Sequence, residues 1–146
     1  TVDHEGRAGL AANQIGVNLR AFSWNIDDEI GYVLNPRLVE VSEEEYQEGD
    51  EGCLSIPGYQ AVVARPRTIG LRGADLDGSP IDEEVTGWSA RIVAHETDHL
   101  DGILFLDKAE MRSLSTNAAV ARLWNEPSTQ RAATELGFTL PSGLLL

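Results

Sequence analysis

The chain has 146 residues, 42% of them hydrophobic and 24% charged, ordinary proportions for one globular domain spanning 1–146. Its formal net charge of −13 argues against nucleic acid as a partner, because phosphates call for Lys and Arg, and against docking on an anionic membrane. A single cysteine cannot form an internal disulfide, and no secretory signal or transmembrane-length apolar run is visible, so a reducing, cytoplasmic setting is expected.

The chain begins at Thr1, and a trimmed or processed N-terminus is expected. Gly6 to Gly16 is dense in small residues, which let backbone approach a ligand or another backbone closely. Short β-type runs follow at Leu19–Trp24, Gly31–Asn35 and Arg37–Val41, with Pro36 dividing the last two. Glu43–Glu51 reads as an acidic, exposed connection into Glu51-Gly52-Cys53-Leu54-Ser55. Tyr59–Ala64 reads as a strand, and Thr68–Arg72 as a half-buried strand with Ile69 and Leu71 on one side. Asp77-Gly78 signals a hairpin turn before a polar strand, Pro80–Thr86.

From Trp88 to Leu100 the pattern becomes helical, with Ile92, His95 and His99 on one stripe and Gly102 as the stop. Two more helices are expected, Ser115–Trp124 and Ser128–Leu136, the second ended by Gly137. Strands early, a helix late and no βαβ alternation predict an α+β fold. The expected arrangement is mixed, mostly antiparallel sheets around the histidine-bearing helix, with further C-terminal helices.

His95-Glu96-Thr97-Asp98-His99 carries the chemistry. Residues four apart share a helix face, so two imidazoles can hold one divalent ion with Glu96 beside it as a proton carrier. The chain has three histidines, and two of them fall four apart around a glutamate, which makes a chance pair of structural histidines a weak reading. An extended metalloprotease motif would place a third His where Phe105 stands, although its Gly is in place at Gly102. The remaining third-ligand candidates are Glu110, Glu126 and Cys53. Cys53 is preferred, since a soft thiolate binds zinc or iron strongly and three protein ligands leave a fourth position for water.

Three segments together resemble the signature motifs of the bacterial peptide deformylase family, in the family's order: Gly9-Leu10-Ala11-Ala12-Asn13-Gln14, Glu51 to Ser55, and His95 to His99. The likeness continues through Ile15-Gly16-Val17, Ile56-Pro57 and Leu100-Asp101-Gly102, and covers most of Gly6 to Asp107. It implies a metal-dependent hydrolase that removes the formyl group from N-terminal formyl-methionine of nascent polypeptides and releases formate. It implies Cys53, His95 and His99 as metal ligands, with Fe²⁺ as the native ion and Ni²⁺, Co²⁺ or Zn²⁺ as substitutes.

By the same resemblance Glu96 acts as general base and acid, and the Gln14 amide and the Leu54 backbone N–H stabilise the oxyanion. The peptide would add as a strand, Gly9 and Gly52 allowing its close approach, with Ala8, Leu54 and Ile92 lining an apolar pocket. Arg91 would either line the pocket rim with its stem, its guanidinium in water, or simply face solvent. Asp98 would orient a histidine ligand, and a Glu51–Arg65 pair would bracket the cysteine loop. Ribosome contact is implied by the family's task alone, since no strongly basic tail is evident.

Three departures from the family pattern stand out. Arg7 occupies a position usually held by glycine, and Ala94 one where Gln is common. The segment that family members carry ahead of the first motif is expected to be missing, with eight residues before Gly9. Two rival readings remain: another metallo-amidase or peptidase using the same Cys/His/His site, and a deformylase-like binding module without activity.

Overall fold

The computed structural model describes residues 7–40, 46–47, 49–123 and 129–139. The elements in chain order are β1 (Gly9–Ala11), a 3₁₀ turn (Ala12–Ile15), β2 (Ala21–Ile26), β3 (Glu29–Glu40), β4 (Tyr46–Gln47), β5 (Asp50–Cys53), β6 (Ile56–Val62), β7 (Arg65–Pro66), β8 (Thr68–Ala74), β9 (Pro80–Thr86) and α1 (Gly87–Leu100). Two 3₁₀ turns (Phe105–Asp107 and Met111–Ser113), β10 (Ser115–Thr116), α2 (Asn117–Leu123) and α3 (Thr129–Leu136) follow among the described residues. The fold is α+β with antiparallel sheets, as expected. It comprises two compact units, Thr1–Glu43 with Pro66–Ile103, and Glu44–Arg65 with Leu104–Leu146. Among the described residues no helix is long and apolar enough to cross a membrane.

The first unit is a five-stranded antiparallel sheet in the order β1-β2-β3-β8-β9, with α1 laid against one face. Asp27 and Asp28 join β2 to β3 with φ of 53° and 65°. Two successive left-handed residues match the right-handed twist of the flanking strands, and aspartate tolerates that region better than most side chains. The β8–β9 hairpin turns where Asp77-Gly78 signals it. Asp75 Oδ1 accepts from the N–H groups of Asp77 (2.9 Å) and Ser79 (2.8 Å), while Gly78 takes φ 82°.

Pro36 does not divide two strands, contrary to the sequence expectation. Glu29–Glu40 is one strand, and its register against β8 shifts between Leu34 and Arg37. Proline has no N–H to give the ladder, so a bulge with Asn35 at φ 50° absorbs it and the ring is buried. Gly73 makes this possible: a Cβ there would stand 2.8 Å from the Leu34 carbonyl oxygen.

Alternation sends Phe22, Val33, Ile69 and Leu71 to one face of this sheet, where they pack with Ala11 and with Ala90, Val93 and Ala94 of α1. The small alanines let the helix come close to the sheet. Its end is fixed by two bonds, Gly102 N–H to the His99 carbonyl (3.1 Å) and Ile103 N–H to the Asp98 carbonyl (2.9 Å), with Gly102 at φ 76°. This is the glycine stop read from the sequence.

In the second unit β5, β6 and β10 form a three-stranded antiparallel sheet in the order β10-β6-β5. Ala61, Val63 and Phe105 make its core, with Cys53, Ile56, Leu106 and Ala109 packed against them. Ser113 Oγ accepts from the Val62 N–H at 2.8 Å and the Glu110 N–H donates to the Val62 carbonyl at 2.9 Å, which clips the Met111–Ser113 turn onto β6.

The helix expected from Ser115 starts later. Ser115 and Thr116 pair with Gln60 and Tyr59, and Thr116 Oγ1 accepts the Ala119 N–H at 3.1 Å, an N-cap that starts α2 at Asn117. Its expected end at Trp124, together with Glu126, Ser128 and the C-terminal Gly143-Leu144-Leu145-Leu146, lies outside the described residues, as do Glu43 to Glu45 and Glu48 of the acidic connection. Glu51 corrects the expectation that this whole stretch is exposed: it belongs to β5 and is 5% exposed.

Candidate metal centre

Helix α1 brings two imidazoles together through local geometry alone. The Nε2 atoms of His95 and His99 stand 3.1 Å apart, and the rings meet edge to face with centroids 4.7 Å apart. Two nitrogens bound to one tetrahedral ion at about 2.0–2.1 Å stand about 3.3 Å from each other. The observed spacing is within a small ring rotation of that value. His99 is buried and His95 half-buried, so the pair is held by packing rather than by side-chain chance.

Glu96 lies on the same helix, 4% exposed, against the backbone of β1. Ile92 is buried one turn before it. Arg91 is 4% exposed, which corrects both sequence readings of a guanidinium in water. Asp98 is buried as well, and its carbonyl accepts from Asp101 and Ile103 at the helix end.

The segment that leads into α1's neighbourhood is β1 and the 3₁₀ turn after it. β1 is an outer strand of the five-stranded sheet, with Ala8 extending the pairing through its carbonyl to the Asn25 N–H at 2.8 Å. Ala8 and Gly9 are half-buried. Gln14 turns its side chain back so that Oε1 accepts the Ala11 N–H at 2.8 Å. A backbone N–H can only donate, so this bond sets the amide orientation, with Oε1 as acceptor and Nε2 as donor. Asn13 Nδ2 donates to the His99 carbonyl, a tie from the 3₁₀ turn to the last turn of α1. No local pattern signals this bond, because its partners lie 86 positions apart.

In the second unit Cys53 ends β5, and Leu54-Ser55 form a two-residue turn before β6, with the register shifting between Gly52 and Cys53. The Ser55 N–H donates to Cys53 Sγ at 3.4 Å. Leu54 is 52% exposed and Gly52 is exposed. Glu51 and Arg65 do form the expected pair, through two hydrogen bonds of 2.8 Å. Glu110 is not on a helix: it caps the Met111–Ser113 turn by accepting the Arg112 N–H. Cys53, His95 and His99 offer one sulfur and two ring nitrogens, a donor set that suits a divalent ion such as iron, nickel, cobalt or zinc.

The family model for polypeptide deformylase matches residues 1–115. Peptide deformylase 3 of Streptomyces avermitilis is 49% identical over 91% of this chain, and peptide deformylase 1 of Streptomyces coelicolor 50% identical over 91%. The aligned parts are 66% and 67% of those relatives, so the chain spans about two thirds of their length. Among solved structures, the peptide deformylase of Thermotoga maritima is 34% identical with a TM-score of 0.71, over 75% of this chain and 74% of that one. The peptide deformylase of Synechococcus elongatus in complex with actinonin is 31% identical with a TM-score of 0.65, over 90% of this chain and 64% of that one.

Proposed function

The chain belongs to the polypeptide deformylase family, and from that premise we propose that it is a metal-dependent peptide deformylase. It removes the formyl group from N-terminal formyl-methionine of nascent polypeptides in the cytoplasm, close to the ribosome, and releases formate. The observation that carries this reading is the 3.1 Å approach of His95 Nε2 to His99 Nε2 on a helix that also buries Glu96.

In this reading His95, His99 and Cys53 hold one divalent ion, Fe²⁺ in the cell. When bound, that ion supplies a water acidified toward neutral pH and polarises the formyl oxygen. Glu96 accepts the proton of the attacking water and hands it to the departing amine, so one carboxylate serves both halves of the reaction. Gln14 Nε2, its amide oriented by the Ala11 bond, donates to the oxygen that gains charge, and the Leu54 N–H donates from the cysteine loop. A neutral amide suits this task because it brings no charge of its own to be balanced. The outer edge of β1 accepts the peptide as an added strand, and Gly52, with no side chain, leaves room for backbone to approach. Ala8, Leu54 and Ile92 receive the methionine side chain.

The test is formate release from a short formyl-methionyl peptide by protein loaded anaerobically with Fe²⁺ or Ni²⁺. Turnover that a chelator abolishes supports the reading. Folded, metal-loaded protein that leaves formyl peptides intact but cleaves other amides would replace it with the metallo-amidase alternative, and metal-loaded protein that binds formyl peptides without turnover would replace it with an inactive binding module.

A further inference from the structure

Gly9 is a glycine for reasons of space. It sits in β1 opposite Trp24, outside the left-handed region, so its backbone conformation is open to any residue. A Cβ built on it would lie 2.4 Å from Glu96 Oε1, 2.6 Å from Cγ and 2.7 Å from Cδ. Its three nearest neighbours therefore all belong to one side chain. Carbon atoms in contact stand about 3.5–4.0 Å apart, so alanine and the observed Glu96 rotamer cannot coexist.

Glu96 cannot relieve the clash by moving to water, because it is 4% exposed and sits on a helix fixed to the sheet by Ala90, Val93 and Ala94. The volume that a side chain on Gly9 would take is thus filled by the Glu96 side chain.

We propose that Gly9 is a positioning residue: its missing side chain forms the slot that sets where the Glu96 carboxylate stands. The proposal rests on Glu96 being the proton carrier of the reaction above. Restoring ordinary contact with an alanine at position 9 displaces the carboxylate by about 1 Å, a misplacement that can cost about 10²-fold in rate.

The experiment combines kinetics with a double-variant cycle on the metal-loaded protein. Gly9→Ala is expected to lower kcat on a formyl-methionyl peptide about 10²-fold while KM changes less than about threefold and metal content is unchanged. It is also expected to lower Tm in the parent but not in a Glu96→Ala background, where Cγ, Cδ and the carboxylate oxygens are gone. A rise in KM at constant kcat would return Gly9 to substrate binding and overturn the proposal. Equal losses of Tm in both backgrounds would overturn it too, as would coupled Tm values with an unchanged kcat. If Gly9→Ala fails to fold, Gly9→Ala/Glu96→Ala should fold, and its failure would overturn the slot. A parent that turns over no formyl peptide would refute the proposed reaction and leave the Tm cycle to decide the slot.

Discussion

Arg65 grips Glu51 with Nε on Oε1 and Nη2 on Oε2, both at 2.8 Å, and the two side chains are 3% and 4% exposed. Planar guanidinium and carboxylate are matched for this geometry, and burial removes the water that would weaken it. The pair ties β5, whose last residue is Cys53, to Arg65 of β7.

Arg65→Ala takes two charge-assisted hydrogen bonds from the buried Glu51 carboxylate, a change that costs about 3–5 kcal/mol. Urea unfolding should show a lower midpoint, and bound metal per chain should fall, since Glu51 is two residues from Cys53. An unchanged midpoint with full metal content would show that the pair bears neither on stability nor on the cysteine.

Glu96→Gln keeps the size of the side chain and removes the proton acceptor. Metal measured by atomic emission should be retained, while the deformylation rate should drop by about 10²–10⁴. Full activity in this variant would take Glu96 out of the chemistry.

Cys53→Ala removes the sulfur of the donor set, and bound divalent ion should fall to a small fraction of that in the parent after dialysis. A chelator should have the same effect on the parent, with activity restored by Fe²⁺ or Ni²⁺. Normal occupancy in Cys53→Ala would mean that the third ligand lies elsewhere.

Asn13→Ala deletes the bond to the His99 carbonyl. The expected loss is about 0.5–1.5 kcal/mol, the usual range for one hydrogen bond. The carbonyl keeps its bond from the Gly102 N–H, so α1 should still stop in place. With the 3₁₀ turn untied from the helix, kcat should fall severalfold through Gln14. Unchanged stability and kcat would show that the tie is idle.

The parts of the fold legible in the sequence were those whose signal is local. Asp77-Gly78, the Gly102 stop and the His95–His99 spacing each act within a few residues, and each stands where it was read. The inward pattern of Ile69 and Leu71 held for the same reason. Pro36 misled because a proline signals a break, whereas a bulge opposite Gly73 lets the strand continue. Thr116 caps α2 rather than lying inside it, so the helix starts two residues after Ser115. Glu51 and Arg91 misled because charge was read as exposure, whereas both are buried in the fold. The Gly9–Glu96 approach is not legible locally, because Glu96 stands on α1, far along the chain.

The far edge of the five-stranded sheet ends in β9, whose sequence runs Pro80-Ile81-Asp82-Glu83-Glu84-Val85-Thr86 with all three acidic residues exposed. A strand edge is a template for another strand, and two such sheets meeting at β9 would set these acidic runs side by side. Charge on that edge therefore acts as a guard against self-assembly. Replacing Asp82, Glu83 and Glu84 by Thr, Val and Thr would leave the interior untouched while turning the rim into a site for pairing copy to copy and, in time, for aggregation.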